Sequence, residues 1–278
     1  MSKIENLKFK VQKERLKIGI IGCGAIGSEI AAACLGRLKD KVCLAAAFDI
    51  DAAKAKAAAG SASVSKLEDL MARSDLVIEA ASAAVSAGIL EECIKRGKSC
   101  MMMSVGGLLG NEGLLKRAEE NDIKVYIPSG ALCGVDGLKA ASAGNIDSVV
   151  LTTRKPPQAL AGAPYLNGKK IDLASIKGET VIFEGTASEA VKGFPQNVNV
   201  SAVLSVAGIG AKNTKVRIVT SPEYKTNTHE VEIKGDFGHI TTRTANLPSR
   251  SNPKTSAMAV FSAIATLDGI ASSVRVGT

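Results

Sequence analysis

The hydrophobic pattern becomes regular at Leu16, where LKIGIIG forms a nearly unbroken apolar run. Such a run suits a strand covered on both faces, as in a parallel sheet. A glycine-rich turn leads from it into SEIAAACLGRL, whose apolar positions recur at helical spacing. The same alternation continues: KVCLAAAFD, DLVIEAAS, KSCMMMSV and KVYIPSG read as strands. DAAKAKAAA, SKLEDLMARS, SAGILEECIKRG (closed by Gly97) and LLGNEGLLKRAEEND read as the helices between them. Strands alternating with helices over about 120 residues predict an α/β fold built on a right-handed, doubly wound parallel sheet.

The pattern changes after PSGALCGVDGLKAASAG. SVVLTTRKPP, GETVIFEG, KVRIVTS, THEVEIKGDFG and HITTRTANLP alternate apolar and polar positions between turn residues, as strands do, and the last two suggest a hairpin around Gly235–Gly238. One helical region, SEAVKGFPQNVNVSAVLSVAGI, lies among them, with Pro195 suited to opening its second half. The chain closes with NPKTSAMAVFSAIATLDGIASS, where Asn252 can cap a helix and Pro253 can sit in its first turn. The expected organisation is a dinucleotide-binding domain over residues 1–134, with 1–15 as an N-terminal extension. A second, α+β domain follows over 135–250. A helix over 251–278 is expected to pack back on the first domain.

Composition narrows the function classes. The chain has 278 residues, enough for one large domain or two modest ones. Hydrophobic residues at 46% and charged residues at 22% exclude wholesale disorder. Aromatics are only 3%, too few to supply stacking platforms for single-stranded nucleic acid. The net charge of +8 comes from dispersed lysines and arginines, so no nucleic-acid partner is expected; it fits encounter with a small anionic substrate instead. No apolar stretch is long enough to span a membrane. The six cysteines form no C-x-x-C pair, which argues against a metal site and for a reducing, cytoplasmic setting. Neutral-pH proton transfer through imidazole has only His229 and His239 to draw on.

The clearest local chemistry is Gly22-Cys23-Gly24-Ala25-Ile26-Gly27, between the first strand and the first helix. Gly22 permits the tight turn, Gly24 lets a pyrophosphate approach the backbone, and Gly27 allows helix and strand to pack closely. With Ala25 and Ile26 it opens a helix whose N-terminus favours phosphate. Asp49 follows 22 residues after Gly27, at the end of the second strand. There its carboxylate can accept ribose hydroxyls and repel a 2′-phosphate, so NAD is expected ahead of NADP, with Lys41 and Lys54 nearby in sequence. This makes the first domain Rossmann-type. Ala81 and Ser82, small residues at a later strand end, leave room for the nicotinamide ribose.

The motifs IGIIGCGAIG, EAAS, MSVGGL, PSGALCGVDGLKAA, TTRKPP, GFPQNVNVSAVLS, NTHEVEIKG and NLPSRSNPKTSAMAVFSAI together resemble the L-aspartate dehydrogenases of NAD biosynthesis, from about Leu16 to Ile264. The resemblance implies oxidation of L-aspartate to iminoaspartate with NAD(P), followed by hydrolysis to oxaloacetate and ammonia or transfer to quinolinate synthase. It also implies a homodimer joined through the second domain's sheet. The catalytic histidine then falls on His229, and the nicotinamide-side contacts on Cys133, where the family commonly has alanine, and Asn199. For the substrate, Asn197 competes with Asn199. Lys254, Thr255 and Ser256, at the start of the last helix, suit a carboxylate, and Arg243 and Lys254 are the expected charge partners. Two other readings stay open: a related amino-acid or hydroxy-acid dehydrogenase of the homoserine dehydrogenase kind, and a non-catalytic NAD(H)-binding sensor.

Overall fold

The computed structural model describes residues 14–195, 199–249, 252 and 255–277. Five short strands build the first sheet: β1 (Leu16–Ile21), β2 (Val42–Phe48), β3 (Leu76–Glu79), β4 (Ser99–Met102) and β5 (Val125–Tyr126). All pair in parallel in the order β2-β1-β3-β4-β5, so the chain winds outward in both directions from β1. Helices α1 (Ala25–Leu35), α2 (Ala52–Ala59), α3 (Leu67–Arg73), α4 (Ala83–Lys95) and α5 (Gly113–Glu120) make the crossovers. The apolar runs are continuous because both faces are covered: Ile18, Ile20, Val77, Ile78 and Met101 have no exposed surface. This is the α/β, Rossmann-type sheet that the sequence pattern implies.

Helix α6 (Val135–Ala141) leads into a mixed sheet. Its strands are β6 (Ile146–Lys155), β7 (Thr180–Thr186), β8 (Lys215–Thr220), β9 (Asn227–Gly235) and β10 (Gly238–Asn246), in the order β10-β9-β6-β8-β7. Only β6 and β8 run parallel; β9 and β10 form the expected hairpin, turning at Asp236–Phe237. Among the described residues, helices cover one face alone. α6 and α9 (Asn199–Ala207) place Leu138 and Leu204 on Val149, Leu151, Val231 and Ile233. α7 (Pro164–Lys169), α8 (Ala187–Gly193) and the residue after α8 place Leu166, Ala190 and Phe194 on Val216 and Ile218.

Two helices join the layers. In α9 every residue from Ser201 to Ser205 is buried, with Ala202 and Val203 in a core of the first sheet and Leu204 in that of the second. Helix α10 (Ala257–Ala271) returns to the first sheet, packing Val260, Ala263, Ile264 and Leu267 beside Ile30 and Cys34 of α1, with an ion pair of 2.5 Å between Lys41 and Asp268. Among the described residues no helix is long and apolar enough to cross a membrane.

Three local expectations need correction. The last helix begins at Ala257 with Ser256 as its cap, so Asn252 does not cap it; Pro253 lies outside the described residues. Pairing explains the delay: Pro248 bridges Ser256, Ser249 N–H donates to the Thr255 carbonyl at 2.6 Å, and Ala257 N–H donates to the Leu247 carbonyl. Pro195 stands in a turn after α8, while α9 is described from Asn199. Helix α6 has no counterpart in the sequence reading; it starts after Gly134, whose φ of +90° opens a turn that hides the helical period of a seven-residue element.

Leu267 is fully buried between α10 and α1, whereas Phe261 on the same helix is 61% exposed. Leu267→Ala is expected to lower stability in urea denaturation by about 2–5 kcal/mol, and Phe261→Ala by roughly 0.5 kcal/mol or less.

Candidate active site

Three strand ends of the first sheet meet at the glycine loop. Gly22 has φ of +89°, and a Cβ there would come within 2.6 Å of the Ala80 and Ala81 backbone, so β1 and β3 can end side by side only with glycine. A Cβ on Gly27 would lie 1.9 Å from the Gly22 carbonyl oxygen, which is why α1 needs glycine to start so close to its own strand. Gly24 is different: a Cβ there meets nothing within 4 Å. That open space over the cap of α1 suits a pyrophosphate, drawn by backbone N–H groups and the helix dipole. Asp49 accepts from Cys23 N–H at 2.7 Å and from Asp51 N–H at 2.9 Å, which fixes its carboxylate beside the loop. An ionised carboxylate has about four acceptor sites, so capacity for ribose hydroxyls remains.

The next two strand ends are tied together by Glu79, a residue the sequence reading passed over. It is fully buried; one carboxylate oxygen accepts from Ala81 N–H at 2.8 Å and the other from Ser104 N–H at 2.9 Å. Burial raises its pKa, opposed by those hydrogen bonds. Ala81 and Ser82 are exposed at this end of β3, beside the Gly22 turn, and Ser82 caps α4. One strand further, Gly106 N–H donates to Asn199 Oδ1 at 2.9 Å, so the start of α9 is fastened to the loop after β4.

Between this edge and the second sheet lies a cavity of about 280 Å³. Ile26 of the glycine loop forms part of its wall, with Asn199, Asn227, His229, Thr255 and Ser256 around it and Lys155 beneath. His229 is only 5% exposed. It pairs with Thr153 of β6 and Thr244 of β10, and its Nδ1 lies 3.0 Å from Thr153 Oγ1. Nε2 is thereby left as the ring nitrogen available to the cavity. Burial and then the charge of Lys155 lower the His229 pKa from 6.5 to about 3. Lys155 is 8% exposed, and burial lowers its own pKa to about 8. Asn246 braces the opposite wall: its Nδ2 donates to the Ala131 carbonyl at 3.1 Å, and its Oδ1 accepts from Ser256 Oγ at 2.9 Å.

The structure thus brings Ile26, Asn199, His229, Thr255 and Ser256 to one cavity, with Gly22, Gly24, Ala25 and Gly27 in the loop that supplies Ile26 and Asp49 bonded to that loop through Cys23 N–H. Cys133 is exposed on the loop that supplies Ala131, and its carbonyl accepts from Thr242 Oγ1 at 3.0 Å. Arg243 is a correction. It pairs with Glu230, one register position from His229, so it stands on the opposite face of the sheet and is exposed. His239 is likewise exposed, its Nε2 3.2 Å from Thr241 Oγ1. Asn197 and Lys254 lie outside the described residues. Besides Glu79, the reading missed Thr153, Lys155, Asn227 and Asn246. For Lys155 a signal existed: it ends the strand SVVLTTRK at the position in phase with Leu151 and Thr153, on the apolar face.

Residues 22–128 match the family model described as homoserine dehydrogenase, NAD binding domain, and residues 136–270 the one described as aspartate dehydrogenase, C-terminal. The chain is 45% identical to the L-aspartate dehydrogenase of Methanosarcina barkeri, over 95% of this chain and 100% of that protein. It is 40% identical to that of Methanothermobacter thermautotrophicus, over 95% and 99%. In shape it is similar to the crystal structure of aspartate dehydrogenase from Thermotoga maritima, with a TM-score of 0.75 and 24% identity over 95% of this chain and 100% of that one, a likeness of fold. Identity at this level along nearly the whole sequence, converging on a cavity between an NAD-binding crevice and a buried histidine, means that the chain belongs to the L-aspartate dehydrogenase family.

Proposed function

We propose that this protein oxidises L-aspartate at Cα with NAD, and that His229 manages the accompanying proton. The observation that carries the reading is the buried imidazole, fastened at Nδ1 by Thr153 and lining a cavity that also touches the glycine loop through Ile26. NAD, when bound, supplies the hydride acceptor. The chain does the rest by placement. Space over Gly24 and the carboxylate of Asp49 orient the dinucleotide. Thr255 and Ser256, at the N-terminal end of α10, face a substrate carboxylate across the cavity. With Nδ1–H donated to Thr153 Oγ1, the Nε2 lone pair of His229 can take a proton from the substrate amino group as iminoaspartate forms, or from water as that product hydrolyses to oxaloacetate and ammonia. Transfer of the imine to a quinolinate synthase is the alternative fate, and its test is whether that enzyme's addition suppresses ammonia release. Homodimers would join through the helix-free face of the second sheet, where Arg154 meets Glu230 and Arg217 meets Glu184; sedimentation should give twice the chain mass.

Purified protein should reduce NAD with L-aspartate and oxidise NADH with oxaloacetate plus ammonia. Absence of turnover in both directions would overturn the assignment. His229→Asn should lower kcat by about 10²–10⁴-fold while NADH binding stays intact, the range for losing a positioned general base.

Stability should report the same histidine. Its folded pKa lies below its unfolded one, so the folded state resists a proton that the unfolded chain accepts. Stability from this source is complete above pH 6.5 and drains away as pH falls toward 3. In denaturation series the wild type should lose more stability across that window than His229→Asn; equal losses would refute the burial argument.

A further inference from the structure

His229 and Lys155 share one face of the second sheet. Thr153 lies opposite His229, and Lys155 is the next residue of β6 in phase with it. Beneath the main cavity, Lys155 also borders a void of about 10 Å³ whose walls include Leu160, Phe194 and Ile218, so the lysine stem runs through apolar surroundings. Among the described residues lining these two spaces, Lys155 and His229 are the only ionisable side chains. The charged groups of the neighbouring strands lie on the other face: Arg154 and Glu230 pair at 3.5 Å, Arg217 meets Glu184, and Arg243 is exposed. α9 and the start of α10 present Asn199, Thr255 and Ser256, none of which titrates.

A dicarboxylic substrate in this cavity therefore meets one cation among the described residues, next to the imidazole that must act as base. We propose that Lys155 anchors a carboxylate of the substrate and that this pairing is what turns His229 into a competent base. By themselves, burial and the neighbouring ammonium both disfavour an imidazolium, leaving His229 too weakly basic to hold a proton near neutral pH. A carboxylate on Lys155 cancels the repulsion and adds an attractive charge, so the imidazole gains proton affinity only when substrate is in place. No covalent step is involved. One proton moves from the substrate amino group or water to Nε2, and the Lys155 ammonium keeps its own. The proposal rests on the reading of the cavity as an aspartate site.

Succinate, a dicarboxylate without an amine, tests it independently of turnover. Titration calorimetry on the NADH-bound protein near pH 6.5, in two buffers of different ionisation enthalpy, reads affinity and proton uptake together. Wild type should bind succinate with net proton uptake, and His229→Asn should bind without it. Lys155→Met should weaken binding about 30- to 100-fold, the range for losing a charge-assisted contact. Lys155→Arg should restore most of the affinity and should not share the wild type's loss of binding above pH 8, where Lys155 itself deprotonates. A merely structural lysine would not move the proton count. Unchanged succinate affinity in Lys155→Met would overturn the anchor, and binding by wild type without proton uptake would overturn the coupling. If succinate behaves as expected but aspartate is not turned over, the functional assignment fails and the anchor stands. If aspartate is turned over and Lys155→Met binds succinate like wild type, the reverse holds.

Discussion

The site depends on two basic side chains held on the core face of a sheet. Neither His229 nor Lys155 gains from that position energetically: burial pushes both toward their neutral forms, and the charge of Lys155 further disfavours a proton on His229. Such an arrangement persists only where the surrounding fold fixes it. Here β6 and β9 are paired along eight registered positions from Ile146 to Arg154, and Thr153 reaches the ring from the adjacent strand. Leu151, Val231 and Ile233 then seal the same face under α6 and α9. The hydrophobic core of the second sheet and its reactive edge are one surface, read from its middle to its end.

Around that edge, single polar groups do the positioning, Glu79 and Asn246 from buried positions. Glu79 joins the turns after β3 and β4, Asn199 fastens α9 to the loop beyond β4, and Asn246 links the Ala131 loop to the cap of α10. Each places a hydrogen bond across elements distant in sequence. Such groups are costly to leave unpaired, roughly 1–3 kcal/mol apiece, so they favour one arrangement of the loops over its neighbours. α9 adds a mechanical reason for the two halves to keep register, because it contributes apolar side chains to both cores.

How much of this was legible in the sequence follows from the range of each interaction. The glycine loop and Asp49 were readable because strand, turn, helix and acid succeed one another locally, and the strands because burial on one or two faces writes itself into apolar spacing. His229 was reached by scarcity and motif. The charge partners were not. Arg243 was chosen for its guanidinium, but a one-residue step along a strand reverses its face, and only the pairing with β10 reveals which face holds the histidine. Lys155 was overlooked for the converse reason: lysines are nearly always solvated, so composition weighs against a buried one. The bridging roles of Glu79 and Asn246 were invisible because Ser104 and Ala131, the far ends of those bridges, lie 25 and 115 positions away.

The contrast between bulk charge and local charge bears on selectivity. A net charge of +8 raises the local concentration of any small anion, and it does so without distinguishing one from another. Discrimination needs a cation held out of water, where a carboxylate partner counts for more than it does at the surface. Lys155 meets this condition, and the surface residue Arg243 does not. Lysine also suits the position better than arginine would. Its ammonium is a compact point charge whose pKa burial brings down to about 8, whereas a guanidinium stays charged at every working pH. A buried cation that a substrate carboxylate neutralises lets the occupant of the cavity, more than the pH of the solvent, decide when His229 can hold a proton.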